Sequence, residues 1–203
     1  MWNHHPAWAW WGVTRPARWA SWGAVAGWWG YGGSYEPVYY DYGDNVYCEG
    51  DSVYVEGQQV ATVEEYTEQA VNIAQVGAQT IDNAVQSGTA EELEWLPLGV
   101  YAVMEEKGVE PTLFLQLAVT RGGIIGGTQY NVLTNETFAV QGSVDLESQR
   151  VAMTIGENEK TILETTVANL TVDESTALVH FGTERTEPRL LVRTESPEVE
   201  AGN

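Results

Sequence analysis

The chain has 203 residues, 43% of them hydrophobic, which is enough to bury a core without disulfides or metals. It carries 29 acidic and 9 basic side chains, a formal net charge of −20. Such a surface repels phosphate backbones and anionic membranes, so nucleic-acid binding is disfavoured. No apolar run reaches the ~18 residues of a membrane-spanning helix.

Residues 1–40 form an arm set apart by composition. Eight of the nine tryptophans lie at or before position 29. Seven of them, Trp8, Trp10, Trp11, Trp19, Trp22, Trp28 and Trp29, make a candidate interaction arm. That much aromatic surface must pack on the main domain, on another chain or on a ligand, and an assembly of identical copies is among these options. The arm's charges are Arg15, Arg18 and Glu36, so the acidity resides in residues 41–203, with 7 basic and 28 acidic groups. Residues 19–29 follow two arginines, but the run is short and tryptophan-rich, unlike a signal peptide.

A short repeat follows over residues 41–61: GDNVYCEG at 43–50 and GDSVYVEG at 50–57. Each unit is a Gly-Asp turn leading into strand formers, and the pair predicts two tight strands. Asp41, Asp44 and Asp51 lack the ligand spacing of a calcium loop and read as turn residues. The single cysteine, Cys48, has no internal partner, and a buried thiol is expected in preference to an intermolecular bridge.

Residues 62–88 read as an amphipathic helix. Thr62-Val63-Glu64-Glu65 is a capping box, and Val63, Tyr66, Ala70, Ile73, Gly77, Ile81 and Ala84 form one apolar stripe. Gly77 allows close approach to a neighbour, and Ser87-Gly88 ends the helix.

From residue 95 to 195 the period changes to two. Strands are predicted at 98–104, 112–119, 123–130, 137–144, 149–155, 161–168, 176–182 and 189–194. The connections are too short for parallel crossovers. The fold class is therefore mainly β (α+β): an eight-stranded antiparallel up-and-down meander, closing into a small lipocalin-like barrel or coiling into a sheet covered by the helix. Residues 196–203 are assigned to a disordered tail.

Five segments together carry a resemblance: DYGDNVYCEGDSVYVEGQQVATVEEY at 41–66, EWLPLGVYAV at 94–103, LQLAVTRGGIIGGTQYN at 115–131, VQGSVDLESQRVAMTIG at 140–156 and NLTVDESTALVHFG at 169–182. With them the chain resembles an uncharacterised family of bacterial exported or cell-surface proteins, some of them labelled protocadherin-like. The resemblance implies export to the periplasm or cell surface and an unknown protein or envelope component as partner. It carries no assigned chemistry, so no catalytic residue can be carried over from it, and no cofactor is expected. Members carry a signal peptide and a Trp-rich region, and this chain opens inside the Trp-rich region.

Chemistry-bearing motifs are scarce. No His/Cys spacing suits zinc, and no nucleophile elbow, phosphate loop or dinucleotide fingerprint occurs. Glu64-Glu65, Glu91-Glu92 and Glu105-Glu106 read as solvated surface rather than a glycosidase pair, which needs carboxylates ~5–10 Å apart across a cleft. His180 lies within a strand and reads as a satisfied structural residue. Gln116, Thr128, Tyr130, Gln141 and His180 on the mixed face would line a ligand pocket if the barrel closed around them, and otherwise face outward. Two functional expectations follow: an exported or envelope protein acting through its surface, and a small-ligand carrier of lipocalin or avidin type. A hydrolase ranks behind both.

Overall fold

The computed structural model describes residues 18–30, 35–182 and 185–195. The tail at 196–203 and Trp8, Trp10 and Trp11 lie outside the described residues. Helix α1 (Trp22–Trp28) comes first, then strands β1 (Val46–Glu49), β2 (Ser52–Val55) and β3 (Gln58–Thr62), and helix α2 (Val63–Ser87). Eight longer strands follow: β4 (Trp95–Met104), β5 (Leu113–Thr120), β6 (Ile124–Asn131), β7 (Glu136–Val144), β8 (Arg150–Ile155), β9 (Asn158–Thr166), β10 (Glu174–Phe181) and β11 (Arg185–Arg193). Each of the eight pairs antiparallel with its chain neighbour, and β11 closes on β4, so the meander is a sealed up-and-down barrel.

Alternation decides which face turns inward. Leu115, Leu117, Val140, Val151, Met153, Leu163, Val179 and Leu191 join side chains from the remaining strands in one buried cluster. Tyr101 belongs to it and donates its hydroxyl to the Leu170 carbonyl at 2.5 Å. One end of the barrel is stopped by α1, whose Val25 is fully buried in the same cluster, with Trp22 and Trp29 packed against it. Arg193 ties that end together: its guanidinium donates to the carbonyls of Thr171 (3.0 Å), Ala20 (2.7 Å) and Leu98.

The capping box is present in full: the Glu65 amide donates to Thr62 Oγ1 (3.2 Å) and the Thr62 amide to Glu65 Oε2 (2.9 Å). Gly88 ends α2 in the left-handed region at φ 73°. The helix lies across the outside of the barrel on small residues. Ala70 and Ala74 sit on Ala152 and Ile162, and Ile81 sits on Trp95, Ala118 and Ile124. Between them Gly77 lies on Gly142, so close that a Cβ on Gly77 would be 1.7 Å from the Gly142 carbonyl oxygen.

The two strands expected of the Gly-Asp repeat are β1 and β2, and a third, β3, follows them beyond the repeat. Glu56 and Gly57, at φ 51° and 78°, make a tight hairpin turn that returns the polar segment Gln58–Thr62 along β2. One expectation needs correction: Cys48 is exposed rather than buried. It lies on β1, an outer strand of the three-stranded sheet, opposite Val53, which takes the buried position in that pair.

Candidate functional site

The five strand residues singled out above all sit on the barrel's outer face, alternating with the inward apolar set. Gln116 and Thr128 face each other across β5 and β6, whereas Gln141 lies on β7 opposite Gly126 and Thr154. The Tyr130 hydroxyl donates to Asn135 at the hairpin tip (2.9 Å). His180 is on β10, four strands from β6 and so on the far side of the barrel. The structure therefore does not gather the five into one pocket.

The described part of the aromatic arm folds onto its own chain. The indole N–H groups of Trp19, Trp22 and Trp29 donate to the carbonyls of Thr194 (2.9 Å), Tyr35 (3.3 Å) and Thr120 (3.0 Å). Trp28 lies under the Arg121 guanidinium, 3.9 Å from the ring centroid.

His180 instead belongs to a buried polar cluster between the barrel wall, α2 and the three-stranded sheet. Its centre is Glu164, fully buried on β9. Glu164 Oε1 accepts from Arg150 Nε (2.9 Å) and the Tyr42 hydroxyl (3.2 Å), and Oε2 lies 2.8 Å from His180 Nε2. His180 Nδ1 is 3.3 Å from Thr67 Oγ1 on α2. Arg150 donates onward to Gln69 Oε1 (2.6 Å) and the Tyr66 carbonyl (3.1 Å), and its guanidinium stacks 3.8 Å from the Tyr66 ring centroid. Two strands and a loop thus converge on one carboxylate, and α2 joins it through His180 and Arg150.

Electrostatics follow from this geometry. Burial alone would raise the Glu164 pKa, but hydrogen bonds from His180 and the Arg150 charge outweigh it and hold the carboxyl below its usual range. Burial would lower the Arg150 pKa, yet Glu164 more than restores it. Burial, then the Glu164 charge, pushes the Tyr42 and Tyr66 phenols well up, so both stay protonated. An ionised, enclosed and hydrogen-bonded carboxylate is chemically quiet. It fastens the helix and small sheet to the barrel. Sequence reading placed His180 among satisfied structural residues but missed Arg150, Glu164, Tyr42 and Tyr66. The available signal was a pair of opposite charges lying within the apolar alternation of strands β8 and β9.

Beside this cluster the outer surface is concave. A groove of about 260 Å³ runs between residues 39–45 and the start of β10, lined among others by Tyr39, Tyr40, Asp41, Asn45, Glu174 and Thr176. Buried amides hold its wall in place. Asn169 Nδ2 donates to the carbonyls of Tyr40 (2.6 Å) and Thr176 (3.0 Å), and the Tyr42 amide donates to Thr176 Oγ1 (2.8 Å).

Among the described residues, no group of three or more His, Cys, Asp and Glu side chains is placed to hold a metal ion. The pairs Glu64-Glu65, Glu91-Glu92 and Glu105-Glu106 are all exposed. No described helix is long and apolar enough to cross a membrane. No protein-family model, curated protein or solved structure matches this chain.

Proposed function

We propose that the protein is a non-enzymatic, exported protein of the bacterial periplasm or cell surface that acts through contacts made by its outer face. The observation that carries this reading is the filled barrel. Side chains from all eight strands meet in one cluster, and α1 stops one end of it with Val25. Glu164, Arg150, His180 and Tyr42, which do converge, are enclosed and spend hydrogen bonds on one another. What remains for recognition is the exterior: the acidic surface, the groove and the aromatic residues beside it. The five segments that resemble exported and cell-surface proteins support the location.

A closed eight-stranded barrel is also the architecture of small-ligand carriers, and architecture alone does not assign function. Native mass spectrometry of the chain secreted from a bacterial host separates the two. The surface reading expects the mass of the bare polypeptide, alone or as a discrete oligomer. A reproducible small-molecule mass carried by the monomer would overturn it in favour of a carrier.

A further inference from the structure

The groove beside Tyr39 has an uneven supply of hydrogen-bonding groups. Its side-chain amides, on Asn45 and Asn169, and the Thr176 hydroxyl are committed to holding the backbone. Asn45 Oδ1 accepts from the Asp41 amide (2.7 Å) while its Nδ2 donates to the Tyr39 carbonyl (3.0 Å), and Thr176 Oγ1 accepts from the Tyr42 amide (2.8 Å). The carboxylates are less committed. Asp41 accepts one long contact from Thr176 Oγ1, at 3.4 Å. Both Glu174 oxygens accept from Lys107 Nζ (3.0 and 2.8 Å), but the two side chains are 49% and 76% exposed, and such pairs are weak and screened. The Tyr39 ring stands 45% exposed beside them. No lysine or arginine is among the residues lining the groove.

A fixed concave wall that offers carboxylate oxygens and an aromatic ring, with its neutral amides already committed, is suited to an organic cation. A bare metal ion fits poorly, because calcium takes about 6–8 oxygen ligands and only two carboxylates line the groove. The side-chain amides that a sugar would use, on Asn45 and Asn169, already hold the backbone. The volume of about 260 Å³ falls below the ~300–1,000 Å³ usual for small-molecule sites and matches a group the size of a side chain. The surrounding field points the same way, since residues 41–203 carry 28 acidic and 7 basic groups.

We propose that this groove binds an ammonium or guanidinium group, carried by a free amine or by a basic side chain of a partner. The inference rests on the surface reading above and names the chemistry that surface would recognise.

The test is an NMR titration of the full chain with cadaverine, with the blocked peptide acetyl-Gly-Lys-Gly-amide, and with neutral 1,5-pentanediol. Both cations are expected to shift the side-chain amides of Asn45 and Asn169 saturably, with Kd of about 1–10 mM at low salt, and pentanediol to leave them unmoved. Asp41→Asn should weaken binding roughly three- to tenfold. Lys107→Ala, which frees Glu174 at an exposed site, should strengthen it. Saturation by cadaverine alone would assign a free amine, and tighter saturation by the peptide a partner side chain. Shifts that never saturate, equal shifts with pentanediol, or insensitivity to both substitutions would overturn the proposal. Bare protein in native mass spectrometry with a silent groove removes this inference and leaves the surface reading. A carried small molecule with a responsive groove does the reverse.

Discussion

The Glu164 cluster makes a quantitative prediction. Glu164→Gln keeps the side chain's size and removes its charge, leaving Arg150 buried beside a neutral amide. Arg150 Nε and Glu164 Oε1 are 2.9 Å apart, and at an effective dielectric constant of about 20 two unit charges at that distance attract by roughly 6 kcal/mol before desolvation is counted. In the intact pair desolvation offsets much of this, but the variant retains the cost of burying Arg150 without the partner. The expected loss is therefore about 3–5 kcal/mol, or roughly 6–20 °C in Tm for a chain of this size. Urea unfolding followed by tryptophan fluorescence and far-UV circular dichroism measures it. Arg150→Met alone also strands a charge, though His180 and Tyr42 still hydrogen-bond the carboxylate. The double variant strands neither, so its cost should fall short of the sum of the singles by about 2 kcal/mol. A loss below about 1 kcal/mol for Glu164→Gln, or strict additivity in the double variant, would refute the view that this pair fastens the helix and sheet to the barrel.

Two further outcomes follow from the same packing. Gly77→Ala would normally stabilise a helix by up to ~1 kcal/mol, but here the new Cβ meets backbone atoms of Gly142, so a net loss of about 1–2 kcal/mol is expected, measured by urea unfolding. Gly27→Ala, with nothing within 4 Å of its Cβ, is the control and should cost nothing; equal behaviour of the two would contradict the close approach. For acid, the folded-state pKa of Glu164 lies below its unfolded value of ~4.3, so its stabilisation is complete above that pH and drains away as pH falls through the folded value. Wild-type stability should therefore fall below about pH 4–5, with a shallower slope in Glu164→Gln, and parallel slopes would show that Glu164 does not contribute to the acid limb.

The barrel was the most legible part of the sequence. Leu115, Leu117 and Val119 alternate with Gln116 and Ala118, and a period of two assigns each side chain to a face before any strand is paired. The capping box at Thr62 and the stop at Gly88 likewise act within a few residues of chain. Helix α1 was illegible. Its sequence, WGAVAGW, has two glycines in seven residues and no helical period, and it is held by burial of Val25 against distant strands. The Glu164 cluster and the groove escaped for the same reason: Tyr42 meets Glu164 across 122 positions and Thr176 across 134. The outward placement of Gln116, Thr128, Tyr130, Gln141 and His180 was one of the two readings alternation allowed, and only closure of the sheet decides which face becomes the lumen.

Closure itself has a kinetic meaning. The strand that seals the barrel, β11, is the last to be made, and it joins β4, whose first residue lies 90 positions before that of β11. Its Arg193 then fastens Ala20, and Trp19 reaches Thr194 across 175 positions. On the ribosome, β4 and β10 must therefore wait with open edges until the final strand emerges. A barrel whose seam joins its first strand to its last folds only once all eight strands have been made, on the slow side for its length. If it is exported as proposed, that delay lengthens the time in which the chain can be taken up unfolded.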